Sequence, residues 1–207
     1  MKINITENIK ISMRGYTIIN VNAYWEENGR RYAVKACDGL KIDSNDKEVI
    51  LRGSYDGRNV EWKLCDKGNY ITAELTIQSK NEVYIDALCA FRGEIKPEEA
   101  NQKFLKVPFD NDDWVKFESK EYSKSEMGYG VSAVYNQNGA LIIGALEYDI
   151  WKTGFIPNEC IEVRSGVTDK LTRDTIKHGT VHGEIVKSPV IYIGESRTWQ
   201  QGMMGFA

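Results

Sequence analysis

Apolar and polar residues alternate with period two along most of this 207-residue chain. In NYITAELTIQS, Ile71, Ala73, Leu75 and Ile77 fall on one side and Thr72, Glu74, Thr76 and Gln78 on the other, the pattern of a half-buried strand. EVYIDALCAF repeats it with Val83, Ile85, Ala87, Cys89 and Phe91, and the intervening Ser79-Lys80-Asn81 predicts a tight reversal between two strands. Asn28-Gly29 stands between YTIINVNAYW and RYAVKAC, and Asn138-Gly139 between GVSAVYN and ALIIGALEY. Both pairs tolerate positive φ and predict hairpins. Asp38-Gly39 and Asp56-Gly57 mark further reversals. Ala140 to Leu146 is almost wholly apolar, as a central strand covered on both faces would be.

Helical signals are few. Pro97-Glu98-Glu99-Ala100 reads as one short helix, with proline in its first turn and acids behind it. At the C-terminus, ESRTWQQGMMGFA offers Ser196 as an N-cap and then a helix-compatible run to Ala207. Such a helix would expose Trp199, Met203, Met204 and Phe206, so more protein is expected to follow it. The pattern predicts an all-β protein, a large antiparallel β-sandwich with one or two short helices. Residues 1–198 form the sandwich, and 199–207 start a linker helix.

Composition narrows the function classes. With 42% hydrophobic and 11% aromatic residues, the chain is of the ordinary globular type, and its length suits a single all-β domain. A net charge of −3 with dispersed Lys and Arg lacks the footprint of a nucleic-acid binder. No stretch is long and apolar enough for a bilayer, and MKINITENIKISM alternates as a strand does, so a cytoplasmic location is expected. Cys37, Cys65, Cys89 and Cys160 form no C-x-x-C pair and are read as free thiols.

The candidate chemistry centres on PFDNDDWVKF. Counted as a calcium loop from Asp110, it places Asp112 at position 3 and Glu121 at 12, but Trp114 at 5 and Val115 at 6, where an oxygen ligand and a glycine are needed. Asp110, Asp112 and Asp113 are near one another in sequence, but a solvated loop supplies no buried partner for a general acid. His178 and His182 lie on an alternating segment, where four residues span about 13 Å, too far to share one ion. No metal, no cofactor and no catalytic residue is therefore assigned. Two groups remain at strand ends: Asp110, Asn111, Asp112 and Trp114, and then Asp149, Trp151, Lys152 and Thr153. Indole faces stack on sugar rings, and Asp, Asn and Lys bond hydroxyls beside them. A platform of Trp114 and Trp151 would make a carbohydrate-binding module. The plainer reading is an interface to another domain.

FLKVPFDNDDWVKF, VSAVYNQNGALIIGALEYDIWKTGF and GVTDKLTRDTIKHGTVHGEIVKSPVIYIGESRTWQQGM resemble the amino-terminal region of α-galactosidase (melibiase) type glycoside hydrolases. The resemblance covers mainly Phe104 to Ala207. It implies a supersandwich, galactose-mutarotase-like, preceding a catalytic (β/α)8 barrel in the same polypeptide. The catalytic aspartates would belong to that barrel, and a barrel of at least about 200 residues is not contained here. Asp110, Asn111, Asp112 and Trp114 match the loop after the V-P-F strand, while Asp149, Trp151, Lys152, Thr153 and Gly154 match a D-x-W-K-T-G segment. Tyr148 and Ile150 depart from the His-Asp-Thr-Trp that relatives more often show there. The partner the resemblance implies is the barrel, with carbohydrate at the rim of its pocket; a second copy in a homo-oligomer is a blander alternative.

Overall fold

A computed structural model describes residues 2–6, 8–13, 15–36, 39–97, 101–108, 116–168 and 181–206. Eighteen antiparallel strands among them form two sheets. The eight-stranded sheet contains β1 (Lys2–Ile5), β2 (Ile9–Met13), β3 (Tyr16–Glu27), β4 (Arg30–Val34), β9 (Ala87–Pro97), β12 (Gly128–Tyr129), β15 (Thr153–Pro157) and β16 (Ile161–Ser165). The ten-stranded sheet contains β5 (Lys41–Asn45), β6 (Glu48–Tyr55), β7 (Arg58–Asp66), β8 (Tyr70–Tyr84), β10 (Lys103–Lys106), β11 (Glu118–Glu121), β13 (Val131–Tyr135), β14 (Ala140–Ala145), β17 (His182–Lys187) and β18 (Ile191–Ser196). In space the first runs β1-β2-β3-β9-β16-β15-β12, with β4 also on β3. The second runs β11-β10-β13-β14-β18-β8-β7-β6-β5, with β17 also on β8. This is the expected all-β sandwich.

The period-two pattern explains the core. Trp25, Ile18 and Phe91 from one sheet meet Trp62, Leu75, Leu141 and Ile193 from the other in one continuous buried cluster. Polar contacts tie the layers together: Trp62 Nε1 donates to the Ala90 carbonyl at 2.8 Å, and Arg58 pairs with the buried Glu27.

Turn chemistry settles local register. Asn28 and Gly29 adopt φ of 51° and 74° between Glu27 and Arg30, and Asp56 and Gly57 adopt 49° and 77° between Tyr55 and Arg58. Both are two-residue hairpins of the kind that requires positive φ. The Asn138-Gly139 hairpin works differently. Asn136 Oδ1 accepts from the Asn138 and Gly139 amides at 2.8 and 3.2 Å, so a side chain shapes the turn.

Three local expectations are corrected. Ser79-Lys80-Asn81 makes no reversal: β8 runs through it to Tyr84, and the chain turns at Ile85-Asp86. A register shift against β17 absorbs the polar residues, with Gln78 opposite Ile185 and Val83 opposite Gly183. Ser196 ends β18, and Thr198 is the helix cap, its Oγ1 accepting from the Gln201 amide at 3.2 Å. Finally, the helix α1 (Trp199–Phe206) does not leave its apolar side bare. Trp199, Met203 and Phe206 pack with Leu105, Ala133, Ala140 and Ile142 on the outer face of the ten-stranded sheet, and only Met204, 72% exposed, points away. Strand β14 is thus covered on both faces, as its apolar run predicts. Pro97 ends β9, and Glu98 to Ala100 lie outside the described residues, as do Cys37, Asp38 and His178. Cys65, Cys89 and Cys160 are free thiols.

Candidate functional site

Strand register gathers a set of connections toward one end of the sandwich. Here β3 turns into β4 and β6 into β7, here β8 crosses to β9 in the other sheet, and here two later connections also change sheet, from β12 to β13 and from β14 to β15. Of the later two, the first is made by Gly130 alone, with φ of 68°, a conformation that side chains disfavour. Its amide donates to the Thr153 carbonyl at 3.2 Å, and its carbonyl accepts from the Ala145 amide at 2.9 Å. The second change is made by residues 146–152.

This second connection is firmly anchored. The Leu146 amide donates to the Val190 carbonyl at 2.9 Å, and Glu147 Oε2 accepts from the Val190 amide at 3.2 Å. Trp151 Nε1 donates to the Lys187 carbonyl at 2.7 Å. The Lys152 carbonyl accepts from the Gly166 and Val167 amides at 2.9 and 3.3 Å, and Thr153 Oγ1 lies 3.0 Å from Ser165 Oγ. Between these anchors, Tyr148 is 56% exposed while its hydroxyl donates to the Gly130 carbonyl at 3.3 Å. Partial burial of that hydroxyl raises its pKa.

Two clefts flank the connection. One, of about 520 Å³, is lined by Val107, Pro108, Tyr129, Val131 and Lys152 together with Tyr148 to Trp151. The other, of about 510 Å³, is lined by Glu74, Glu147, Lys187, Ser188 and Pro189 together with the same four residues. Apolar side chains also collect at this end. Of eight large hydrophobic residues exposed among the described residues, Tyr84, Phe117, Leu146, Tyr148, Ile150 and Ile185 lie on its segments, and only Ile42 and Met204 lie elsewhere.

The structure therefore brings Asp149, Trp151, Lys152 and Thr153 together, but not as a sugar platform. Trp151 is 5% exposed and belongs to the inter-sheet core, so its ring has no free face to offer a ligand. Thr153 is buried as well, whereas Asp149 is exposed beside both clefts. Asp110, Asn111, Asp112 and Trp114 lie outside the described residues; Pro108, just before them, borders the first cleft. Sequence reasoning passed over Tyr148, Glu147 and Glu74 as site residues. The available signal was Leu146, Tyr148 and Ile150, apolar residues at every second position of a non-strand segment. His182 is an exposed strand residue, its Nδ1 against Glu82 and its ring stacked on Tyr84 at 4.9 Å.

No protein-family profile and no curated protein matches the chain. Among solved structures it is similar to the Slr1438 protein from Synechocystis sp. PCC 6803, with a TM-score of 0.51 and 10% identity over 96% of each chain. The likeness is one of fold. A weaker likeness, with a TM-score of 0.49 and 10% identity, is to the GH36 alpha-galactosidase AgaA A355E from Geobacillus stearothermophilus in complex with 1-deoxygalactonojirimycin. It covers 98% of this chain and 32% of that one.

Proposed function

We propose that this chain is a non-catalytic β-sandwich domain of an α-galactosidase-like retaining glycoside hydrolase, packed on a (β/α)8 barrel and framing the mouth of its substrate pocket. The observation that carries this reading is the concentration of six exposed hydrophobic side chains at one end of the sandwich. Exposed apolar side chains of this kind, beside clefts that are themselves largely apolar, suit burial against another domain. The motif resemblance of Phe104 to Ala207 is what favours a barrel as that domain. The segments that carry the resemblance include the connection from β14 to β15, which lies at the same end. A second copy of the chain is the competing occupant.

The test uses the purified chain. It is expected to show no turnover on aryl α-galactosides, and hydrolysis that persists after removal of trace host enzyme overturns the reading. Mixed with an α-galactosidase-like barrel from the same source, the chain is expected to co-elute with it, and Phe117→Asp is expected to weaken that association. Self-association in place of barrel binding, removed by Phe117→Asp, would instead make this end a homo-oligomer interface.

A further inference from the structure

We propose that Tyr148 is the stacking surface of a hexose-binding subsite, with Glu147, Asp149, Glu74 and Lys187 around it to bond hydroxyls. The inference rests on the reading above in placing this end of the sandwich beside a glycoside, but it is carried by a different observation. Tyr148 is both exposed and held. Its hydroxyl is tied to the Gly130 carbonyl, and its ring edge lies in ordinary van der Waals reach of Gly130, where a Cβ would stand 3.5 Å from Tyr148 Cε1. A ring that is already ordered loses little conformational freedom when a ligand stacks on it.

The surroundings combine apolar lining with charged side chains, which suits a ligand that has both an apolar face and hydroxyl groups. Tyr148 lines both clefts, and each volume, 520 and 510 Å³, falls within the several-hundred-Å³ range of small-molecule sites. Exposed Glu147 and Asp149 adjoin it in sequence, and Glu74 and Lys187 line the second cleft with it. Carboxylates accept from hydroxyl groups, an ammonium donates to them, and an aromatic face covers the apolar C–H side of a pyranose. The floor is fixed: Trp151 is anchored to the Lys187 carbonyl and Glu147 to the Val190 amide. The indole expected to stack is thus a support beneath the site, and the neighbouring tyrosine supplies the free ring.

Titration of the isolated chain with methyl α-galactoside, followed by ligand-observed and protein-observed NMR, tests this directly. Saturation transfer to the ring protons of one sugar face and weak, saturable binding are expected. Tyr148→Ala should weaken binding about tenfold or more, the scale of a lost aromatic contact of roughly 1.4 kcal/mol, while Tyr148→Trp should retain it. Asp149→Asn should weaken it by a smaller factor. Absence of saturable binding to the folded chain, or unchanged binding by a folded Tyr148→Ala variant, overturns the subsite. Phe117→Asp keeps the two proposals apart, because Phe117 lines neither cleft. A chain that binds the sugar yet hydrolyses it, or that never associates with the barrel, sinks the domain reading and leaves the subsite standing.

Discussion

On the outer face of the eight-stranded sheet, Glu162 gathers the Tyr24 hydroxyl, Arg92 at 3.5 Å and Arg31 at 3.9 Å, and Arg31 also lies 3.9 Å from the centre of the Tyr24 ring. Glu26 pairs with Arg31 and Arg164 beside them. On the outer face of the ten-stranded sheet, the strands β13, β14 and β18 carry Ala133, Ala140, Ile142 and Tyr192 under the helix α1. One face is covered by linked charges and the other by a helix. The difference teaches where each is vulnerable. An apolar cover fails when a filled volume is emptied, whereas a charged one fails when a partner is removed and a buried polar atom is left without it.

Three measurements can break or sharpen that contrast. Ile142→Ala should have the largest effect, about 2 to 5 kcal/mol of stability in denaturant titration. Ile142 is fully buried beneath α1, and a Cβ at Gly202 would stand only 2.3 Å from its Cγ1, so the helix and strand already touch closely. The emission of Trp199 should shift as the helix loosens. An unchanged midpoint would mean that α1 adds nothing to the sheet beneath it.

Glu162→Ala should cost less, about 1 to 3 kcal/mol, because it leaves the Tyr24 hydroxyl without its acceptor. Tyr24 is 1% exposed, so water cannot readily replace Glu162. Removing both groups, in Tyr24→Phe with Glu162→Ala, should cost less than the sum of the single changes. Additive losses would dissolve the network into independent surface contacts.

The smallest effect at neutral pH appears only in alkali. Burial, with Cys89 and Glu162 nearby, raises the Tyr24 pKa far above its usual 10.0. Above pH 10 the unfolded tyrosine loses its proton while the folded one keeps it. The native state then binds more protons, and stability falls as pH rises, by about 1.4 kcal/mol per pH unit for each such group. Tyr16 is raised by burial in the same direction. Tyr24→Phe should make the decline shallower by one such group, and an unchanged slope would show that Tyr24 ionises without unfolding.

Much of the fold was legible residue by residue. Asn28-Gly29 and Asp56-Gly57 announced their hairpins because a two-residue turn needs positive φ, a local demand. Ser79-Lys80-Asn81 misled because polar residues that a bulge absorbs look like those of a turn, although Val83 and Ile85 keep the parity of Ile71 to Ile77 across it. The helix was misjudged for another reason. The apolar run from Ala140 was read as needing cover on both faces, and Trp199, Met203 and Phe206 as needing a surface, but nothing local joins two segments some sixty residues apart. At the candidate site, the segment Asp149 to Thr153 borders both clefts, but Trp151, read as a stacking face, is buried.

By itself, then, the sequence determined the strand character, two of the tight turns and the buried β14, and it drew attention to the segment that borders the two clefts. These follow from side-chain alternation and backbone preferences, which act between near neighbours. Which aromatic ring is free was decided only by tertiary structure. Trp151 is held inside, where Lys187, on a strand far along the chain, presents its carbonyl to the indole, and Tyr148 stands outside, its hydroxyl held by the Gly130 carbonyl. Burial depends on what the rest of the chain brings to a residue, and that is a property of the fold.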